Sequence, residues 1–156
     1  MNIRRAVLTD MDGINKLLHQ VLMVHHNGRP DIFKPHAKKY TDEELAEIIA
    51  DDTTPIFVAV DEQEQVLGYA FCIFKQMIDD HILTDIKTLY IDDLCVDEDK
   101  RGMHIGSQLY DYAVKFAREQ DCYNLTLNVW SCNPGAMKFY EKCGLVPQKV
   151  GMELIL

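Results

Sequence analysis

The spacing of apolar and polar positions along the chain predicts a succession of helices and strands. Residues 2–8 are typical of a short strand. Apolar residues then recur every three or four positions between 14 and 22, which predicts a helix that Thr9 or Asp10 can cap. The glycine and prolines within residues 27–40 break regular structure and predict a loop.

The middle of the chain predicts a second helix followed by three strands. Thr41 and Glu44 have the spacing of a capping box, with apolar residues behind them at helical spacing. Residues 55–60 and 66–74 are β-type segments separated by a short polar turn, which is typical of a hairpin. A third strand is predicted over 84–96.

The last third predicts two helices, each followed by a strand. One apolar stripe runs along a helix over residues 105–120, and 123–130 alternates as a strand does. A short helix over 133–143 ends at Gly144, and 146–156 is predicted as a final strand. The strand 84–96, the helix after it and the strand 123–130 form a crossover unit, so two strands should be parallel within a mixed sheet.

Composition limits the classes of protein that fit. The chain has 156 residues, 47 % hydrophobic, with 16 basic and 25 acidic side chains and a formal charge of −9. This length predicts a single domain over residues 1–156. Nucleic-acid binding is disfavoured because phosphate contacts need clustered Lys and Arg, whereas a cationic partner is weakly favoured.

Cysteine usage and hydropathy predict a cytoplasmic protein. The five cysteines are odd in number and form no Cys-x-x-Cys pair, so neither a disulfide framework nor a zinc site is expected. The N-terminus lacks the apolar segment of a signal peptide, and no apolar run approaches the roughly 18 residues of a membrane span. We therefore expect no membrane partner and no metal.

The segment from Asp97 to Ser107 carries the clearest chemistry. It joins a predicted strand to a predicted helix, whose first backbone amides and positive dipole end favour an anion. Gly102 and Gly106 allow close approach to the backbone, and Arg101 adds a fixed positive charge. The P-loop lysine and the third glycine of the dinucleotide-binding fingerprint are both missing, which leaves a different pyrophosphate site.

Three motifs in order resemble the GCN5-related N-acetyltransferase (GNAT) superfamily. Arg101, Ile105 and Gly106 fit its Arg/Gln-x-x-Gly-x-Gly/Ala signature, although His104 stands where the first glycine is usual. Residues 90–96 are similar to the fourth strand of the family. A third segment resembles the pattern Asn-x-x-Ala-x-x-Phe-Tyr-x-x-x-Gly-Phe through Asn133, Ala136, Phe139, Tyr140 and Gly144.

The resemblance implies a fold and a cosubstrate. The implied fold is a three-layer α+β (α/β) arrangement with about four helices. Its twisted sheet is mixed and mostly antiparallel, with six to seven strands and a splayed parallel pair. The implied cosubstrate is acetyl-CoA, and the residues implied to contact it are Leu94, Cys95, Val96, Arg101, Gly102, Met103, His104, Ile105, Gly106, Ser107, Asn133, Ala136, Phe139 and Tyr140.

The resemblance also implies how an amine is acetylated. A free alkyl amine has a pKa of about 10, so a base must remove a proton before it attacks the thioester. Asp92 and Asp93 are the candidate bases, and the family pattern of an acidic pair favours Asp92. Neighbours on a strand point to opposite faces, so only one of them should face the cleft unless a bulge intervenes. Tyr140 is the candidate acid that protonates the leaving thiolate.

Other interpretations of these residues stay open. Asp92 and Asp93 could lie at an exposed strand edge, and Tyr140 could be core packing beside Phe139. The preferred activity is acetyl transfer to a small-molecule amine resembling a polyamine, an aminoglycoside or an amino acid. A protein acetyltransferase acting on an N-terminus or a lysine, and a non-catalytic acyl-CoA sensor, are the alternatives. The apolar end, residues 152–156, makes a homodimer plausible.

Overall fold

A five-stranded mixed sheet forms the centre of the molecule in the computed structural model, which describes residues 1–156. The strands lie side by side in sequence order. Neighbours are antiparallel except for the last two, which are parallel as the crossover unit predicts. The strands are β1 (Asn2–Arg5), β2 (Ile56–Val60), β3 (Val66–Gln76), β4 (Lys87–Val96) and β5 (Asn124–Leu127).

Four helices flank the sheet, which confirms the predicted number. The helices are α1 (Met11–Gly28), α2 (Asp42–Ala50), α3 (Ile105–Glu119) and α4 (Pro134–Lys142). The predicted capping box is present at α2, where Thr41 Oγ1 accepts a hydrogen bond from the Glu44 amide at 3.1 Å and Glu44 Oε2 accepts one from the Thr41 amide at 2.9 Å. Gly144 follows α4 with a φ of +93°, so the helix stops where a left-handed residue is needed.

Alternating side chains of the sheet build two apolar cores. In β2, Ile56, Val58 and Val60 face α1 and α2, whereas Phe57 and Ala59 face α3. Each face of the strand is covered by helices, so β2 is apolar at every position instead of alternating with polar residues. The result is the predicted three-layer order of helices, sheet and helices.

The prediction of six to seven strands is wrong, because the structure has five. Residues 146–156, predicted as a final strand, pair with no other strand, and most of their apolar side chains are exposed. The first strand ends at Arg5 because Asp10 accepts a hydrogen bond from the Val7 amide at 2.8 Å, which turns the chain towards α1. None of the four helices combines the length and the apolar composition that crossing a bilayer requires.

Candidate active site

The parallel strands β4 and β5 separate halfway along β4 and leave a slot between them. Their pairing ends at Ile91 and Leu127, while β4 continues to Val96 with only β3 beside it. This is the splayed parallel pair that the sequence resemblance implies. The backbone of Leu94, Cys95 and Val96 therefore borders the slot with one edge unpaired.

A bulge in β4 lies at the start of this slot. Phe71 pairs with Asp93 and Cys72 pairs with Ile91, which leaves Asp92 as the extra residue. Ile91, before the bulge, packs into the core beside α3, whereas Cys95, two residues after Asp93, packs into the core beside α1 and α2. The bulge therefore puts the carboxylates of Asp92 and Asp93 on one side of the sheet, the side of α1 and α2.

Each of these carboxylates has one close partner. The buried Tyr69 hydroxyl donates to Asp93 Oδ2 at 2.7 Å, and Lys39 Nζ donates to Asp92 Oδ2 at 3.2 Å. Burial raises the pKa of Asp93 above its ordinary value, although Tyr69 and Lys39 act in the opposite direction. Asp93 is therefore a stronger base than an exposed aspartate.

The loop between α1 and α2 brings a cation and an aromatic ring over these acids. Burial lowers the pKa of Lys39, but Asp92 and Asp93 outweigh that effect and the net shift is upward. The Lys39 ammonium lies 5.3 Å from the centre of the Tyr40 ring, which in turn stacks on Phe71 with centroids 6.0 Å apart. Sequence reasoning did not predict the contact between Lys39 and Asp92.

Tyr69, Lys39, Tyr40 and His25 are site residues that sequence reasoning did not single out. His25 comes from α1, where burial lowers its pKa, so it is neutral at pH 7. One signal in the sequence could have identified Tyr69: it is a hydroxyl-bearing residue within the buried run of residues 67–72, where a buried polar group needs a partner.

Tyr140 reaches the same region from α4. Its ring packs edge-on against Phe139 with centroids 5.0 Å apart. Burial, followed by the negative charge of Asp93, raises the pKa of Tyr140 well above its usual range. Tyr140 thus stays protonated at neutral pH, and it lies within electrostatic range of Asp93.

The predicted anion site is a run of unbonded amides before and at the start of α3. None of the backbone N–H groups from Arg101 to Ser107 donates a hydrogen bond within the chain. Gly102 has a φ of +82° and His104 a φ of +58°, so two left-handed residues turn this loop into the helix. The side chains of Arg101, Met103 and His104 are exposed. Free amides, a helix N-terminus and one arginine can together bind phosphate groups.

Asp97 fixes the start of that loop to α1. It is buried, and it accepts hydrogen bonds from Lys16 Nζ at 2.7 Å, from Gln20 Nε2 at 3.2 Å and from the Asp99 amide at 3.2 Å. The hydrogen bond from Lys16 is the main reason that the pKa of Asp97 lies below its usual value. The loop is thus held by a charged, buried anchor.

Gly106 lies where α3, β4 and α4 meet. A Cβ atom there would lie 3.5 Å from both Val96 Cγ2 and Phe139 Cζ, which is ordinary contact, so alanine fits in van der Waals contact with both side chains. This geometry gives a physical reason for the Gly/Ala choice in the family signature. It also shows that the three sequence motifs converge, since one residue from each of them meets here.

Two other predicted residues have structural partners of their own. Asn133 caps α4, with Oδ1 accepting a hydrogen bond from the Ala136 amide at 3.2 Å, which leaves its Nδ2 free. The Cys95 side chain turns into the core, where its Sγ lies 3.7 Å from the Leu17 carbonyl and burial raises its pKa to about 12. Only the backbone of Cys95 is therefore available to the slot.

Comparison with known families agrees with this geometry. The family model described as acetyltransferase (GNAT) family matches residues 22–145. A crystal structure of a mutant BH1408 protein from Bacillus halodurans superposes with a TM-score of 0.95 at 30 % sequence identity, covering 100 % of this chain and 99 % of that one.

Curated relatives are acetyltransferases with different acceptors. Glucosamine 6-phosphate N-acetyltransferase 1 of Oryza sativa subsp. japonica is 35 % identical over 42 % of this chain and 38 % of its own. Peptidyl-lysine N-acetyltransferase YjaB of Salmonella typhimurium is 32 % identical over 65 % of this chain and 58 % of its own. The matched region thus spans between about two fifths and three fifths of these relatives. The family model covers most of the chain and the three motifs meet at one slot, so this chain belongs to the acetyltransferase (GNAT) family.

Proposed function

We propose that this protein transfers the acetyl group of acetyl-CoA to a primary amine of a small molecule, by direct attack in a ternary complex. One observation carries the proposal: the slot between β4 and β5 has seven free amides near one end and two carboxylates with a protonated tyrosine near the other. The first group suits a pyrophosphate, and the second suits the transfer of a proton from an amine.

The residues that border the slot fit acetyl-CoA. The amides of residues 101–107 and the Arg101 guanidinium would bind its phosphates. The unpaired edge of Leu94–Val96 would pair with the amides of the pantetheine arm, and the free Nδ2 of Asn133 adds a donor. Acetyl-CoA supplies an activated acetyl group, and a backbone N–H near Leu94 would stabilise the charge that develops on its carbonyl oxygen.

Asp93 is the base that the contacts favour, in place of Asp92, which the sequence favoured. Its raised pKa makes it a better proton acceptor for an alkylammonium. Asp92 already accepts a hydrogen bond from the Lys39 ammonium, so its charge is partly neutralised. In this assignment Asp92 and Lys39 position the acceptor, and Asp93 takes its proton directly or through a water molecule.

Tyr140 is the acid that protonates the departing sulfur. Its raised pKa keeps the hydroxyl protonated until the thiolate forms, and its place near Asp93 puts donor and acceptor of protons on the same slot. A protonated phenol at this place has a proton to donate.

The charge around the slot favours an acceptor with one amine. Asp92 and Asp93 carry two negative charges and Lys39 returns one positive charge, while His25 is neutral. The remaining single negative charge suits one alkylammonium better than a polyamine with several. The relative that acetylates glucosamine 6-phosphate has an acceptor of this kind.

A peptidyl lysine is the second candidate acceptor. The observation that favours it is Lys39 itself, because a lysine side chain reaches Asp92 from the neighbouring loop. A lysine side chain of another protein would need the space beside Asp92 that Lys39 reaches. One relative is named as a peptidyl-lysine N-acetyltransferase.

An acceptor screen tests both candidates. Release of free thiol from acetyl-CoA would be followed with amino sugars, aminoglycosides, polyamines, amino acids and lysine peptides, with Tyr140→Phe as the matched inactive control. We expect turnover with a monoamine and little with spermine. Turnover with peptides alone would replace the small molecule by the second candidate. Tight binding of CoA without turnover for any acceptor would reject the enzyme and leave an acyl-CoA sensor.

A further inference from the structure

Lys39 is a primary amine that this chain itself places beside the candidate base. Its Nζ atom donates to Asp92 Oδ2 at 3.2 Å, and its charge lies within electrostatic range of Asp93 and Tyr90. Asp92 is the bulge residue at which β4 and β5 begin to separate. The ammonium of Lys39 is thus at the mouth of the slot, where the proposed function puts the amine of an acceptor.

The surroundings of Lys39 hold its ammonium without enclosing it. The Nζ atom lies 5.3 Å from the centre of the Tyr40 ring, and the side chain is 43 % exposed. A lysine side chain is a flexible four-carbon stem, so its nitrogen can move by rotation about its own bonds. Lys39 can therefore leave Asp92 and enter the slot while the sheet and helices stay in place.

The neighbouring Lys38 has the same amine in a different place. Its Nζ atom donates to Asp42 Oδ1 at 2.7 Å, at the start of α2, and its side chain is 55 % exposed. The two lysines therefore differ in what they face and are similar in exposure. A reaction with dissolved acetyl-CoA would modify both, whereas a reaction within the slot would select Lys39.

We propose that this protein acetylates its own Lys39 when acetyl-CoA is bound and no acceptor is present. The proposal rests on the proposed function, because it uses the same cosubstrate, base and acid. Asp93 takes one proton from the ammonium, and the freed electron pair of Nζ forms a bond to the carbonyl carbon of the thioester.

The remaining steps close the balance of atoms and charge. The C–S bond breaks, the sulfur keeps the electron pair of that bond, and Tyr140 protonates it to give CoA as a free thiol. The nitrogen loses a second proton as the amide forms, which restores the Tyr140 phenol. Asp93 releases its proton to water, so the net products are an acetamide on Lys39, CoA and one proton.

The acetyl group changes the charge of the site. An acetylated lysine has no positive charge, so Asp92 loses the ammonium that partly neutralises it. Each chain has one lysine at this position, so the reaction stops after one equivalent of thiol. Turnover with a free acceptor has no such limit, which separates the two reactions in an experiment.

Mass spectrometry of the full chain, intact and after proteolysis, tests the proposal. The protein is incubated with acetyl-CoA alone, and acetylation is followed at every lysine. We expect one acetyl group per chain, at Lys39, with a first-order rate that does not depend on protein concentration. Lys38 should react at least about tenfold more slowly. Lys39→Arg should remove the acetyl group from the intact mass, and Lys38→Arg, its matched control, should keep it.

Tyr140→Phe separates a reaction in the slot from a chemical one. It should slow acetylation of Lys39 by about 100-fold or more and leave the slow reaction of Lys38 unchanged. Equal rates at Lys38 and Lys39, or equal rates at Lys39 in Tyr140→Phe and the wild type, would overturn the proposal. A rate at Lys39 that rises with protein concentration would also overturn it, because transfer would then occur between chains.

Thiol release with free amines distinguishes this proposal from the proposed function. If thiol is released with a free amine and Lys39 stays unmodified, self-acetylation alone is overturned. If neither reaction occurs, the proposed function falls as well.

Discussion

Asp92 and Asp93 are adjacent in the chain, and a single inserted residue decides what they can do together. In a regular strand their side chains would point to opposite faces. The bulge puts both on the side of α1 and α2, where one meets Lys39 and the other meets Tyr69. Their different partners give the two carboxylates different electrostatic environments.

The two carboxylates are distinguished by the pH dependence of turnover. Asp93 must be ionised to act as a base, so activity should fall as the pH drops through its raised pKa. We expect Asp93→Asn to lower kcat at least 100-fold and to abolish this fall in activity at low pH. Asp92→Asn should raise KM for the amine and leave the fall in activity at low pH unchanged. If Asp92→Asn abolishes that fall and Asp93→Asn leaves it unchanged, the roles are reversed.

Tyr140→Phe tests the acid without removing the ring that packs on Phe139. We expect kcat to fall between about 100-fold and 10,000-fold, because general acid catalysis contributes effects of that size. The Kd of CoA, measured by calorimetry, should change less than threefold. Tyr110→Phe on α3 is the matched control, since it also deletes one half-buried hydroxyl. An unchanged kcat in Tyr140→Phe would leave Tyr140 as core packing only.

At the scale of elements, the N-terminus of α3 departs from the family signature at one backbone position. His104 precedes the helix with a φ of +58°, a conformation that glycine adopts freely and a β-branched residue does not. Histidine is among the residues that tolerate it. The departure from glycine thus keeps the geometry of the loop.

Substitutions at His104 should follow backbone strain. We expect His104→Gly to leave the free energy of unfolding within about 1 kcal/mol of the wild type, because relief of strain is offset by a more flexible unfolded chain. His104→Val should lower it by about 1–2 kcal/mol. Urea unfolding measures both. Equal stabilities of the two variants would mean that the left-handed conformation is not required.

Acid-sensitive ion pairs tie the first strand and helix to the rest of the molecule. Asp10 is buried, and although burial raises its pKa, hydrogen bonds from Arg4 and the Val7 amide outweigh that and lower it. Asp97 has a lowered pKa through Lys16. A carboxylate with a lowered folded pKa stabilises the fold above its unfolded value of about 3.9 and loses this contribution as the pH falls through the folded pKa.

We therefore expect the urea midpoint to stay level from pH 7 to pH 5 and to fall below about pH 4. Asp93 acts in the opposite sense, because its raised pKa means that protonation relieves a buried charge. Asp10→Asn should lower the free energy of unfolding at pH 7 by about 3 kcal/mol, as expected for breaking a buried ion pair. Glu64→Gln, its exposed neighbour on Arg4, should cost under about 1 kcal/mol. A midpoint that is unchanged at pH 3 would contradict this account.

Much of the fold follows from local pattern. The four helices, the hairpin of β2 and β3 and the parallel pair were predicted because apolar spacing, the Thr41 capping box and Gly144 act within a few residues of chain. The predicted final strand was wrong because pairing between strands depends on residues that are far apart along the chain. Its alternation is present, but a strand also needs a neighbour, and residues 146–156 pair with no strand of the sheet.

By itself the sequence determined the order of the helices and of the first five strands, the glycine-containing loop of residues 101–107 before α3 and the family, because each depends on residues that are close together in the chain. Only the tertiary structure decided that Asp92 and Asp93 share one side, that Lys39 lies over them and that Tyr140 is near Asp93. These facts depend on a bulge and on contacts between residues as far apart along the chain as Lys39 and Asp92, which are separated by 53 positions. Such contacts exist only once the sheet and its helices have packed.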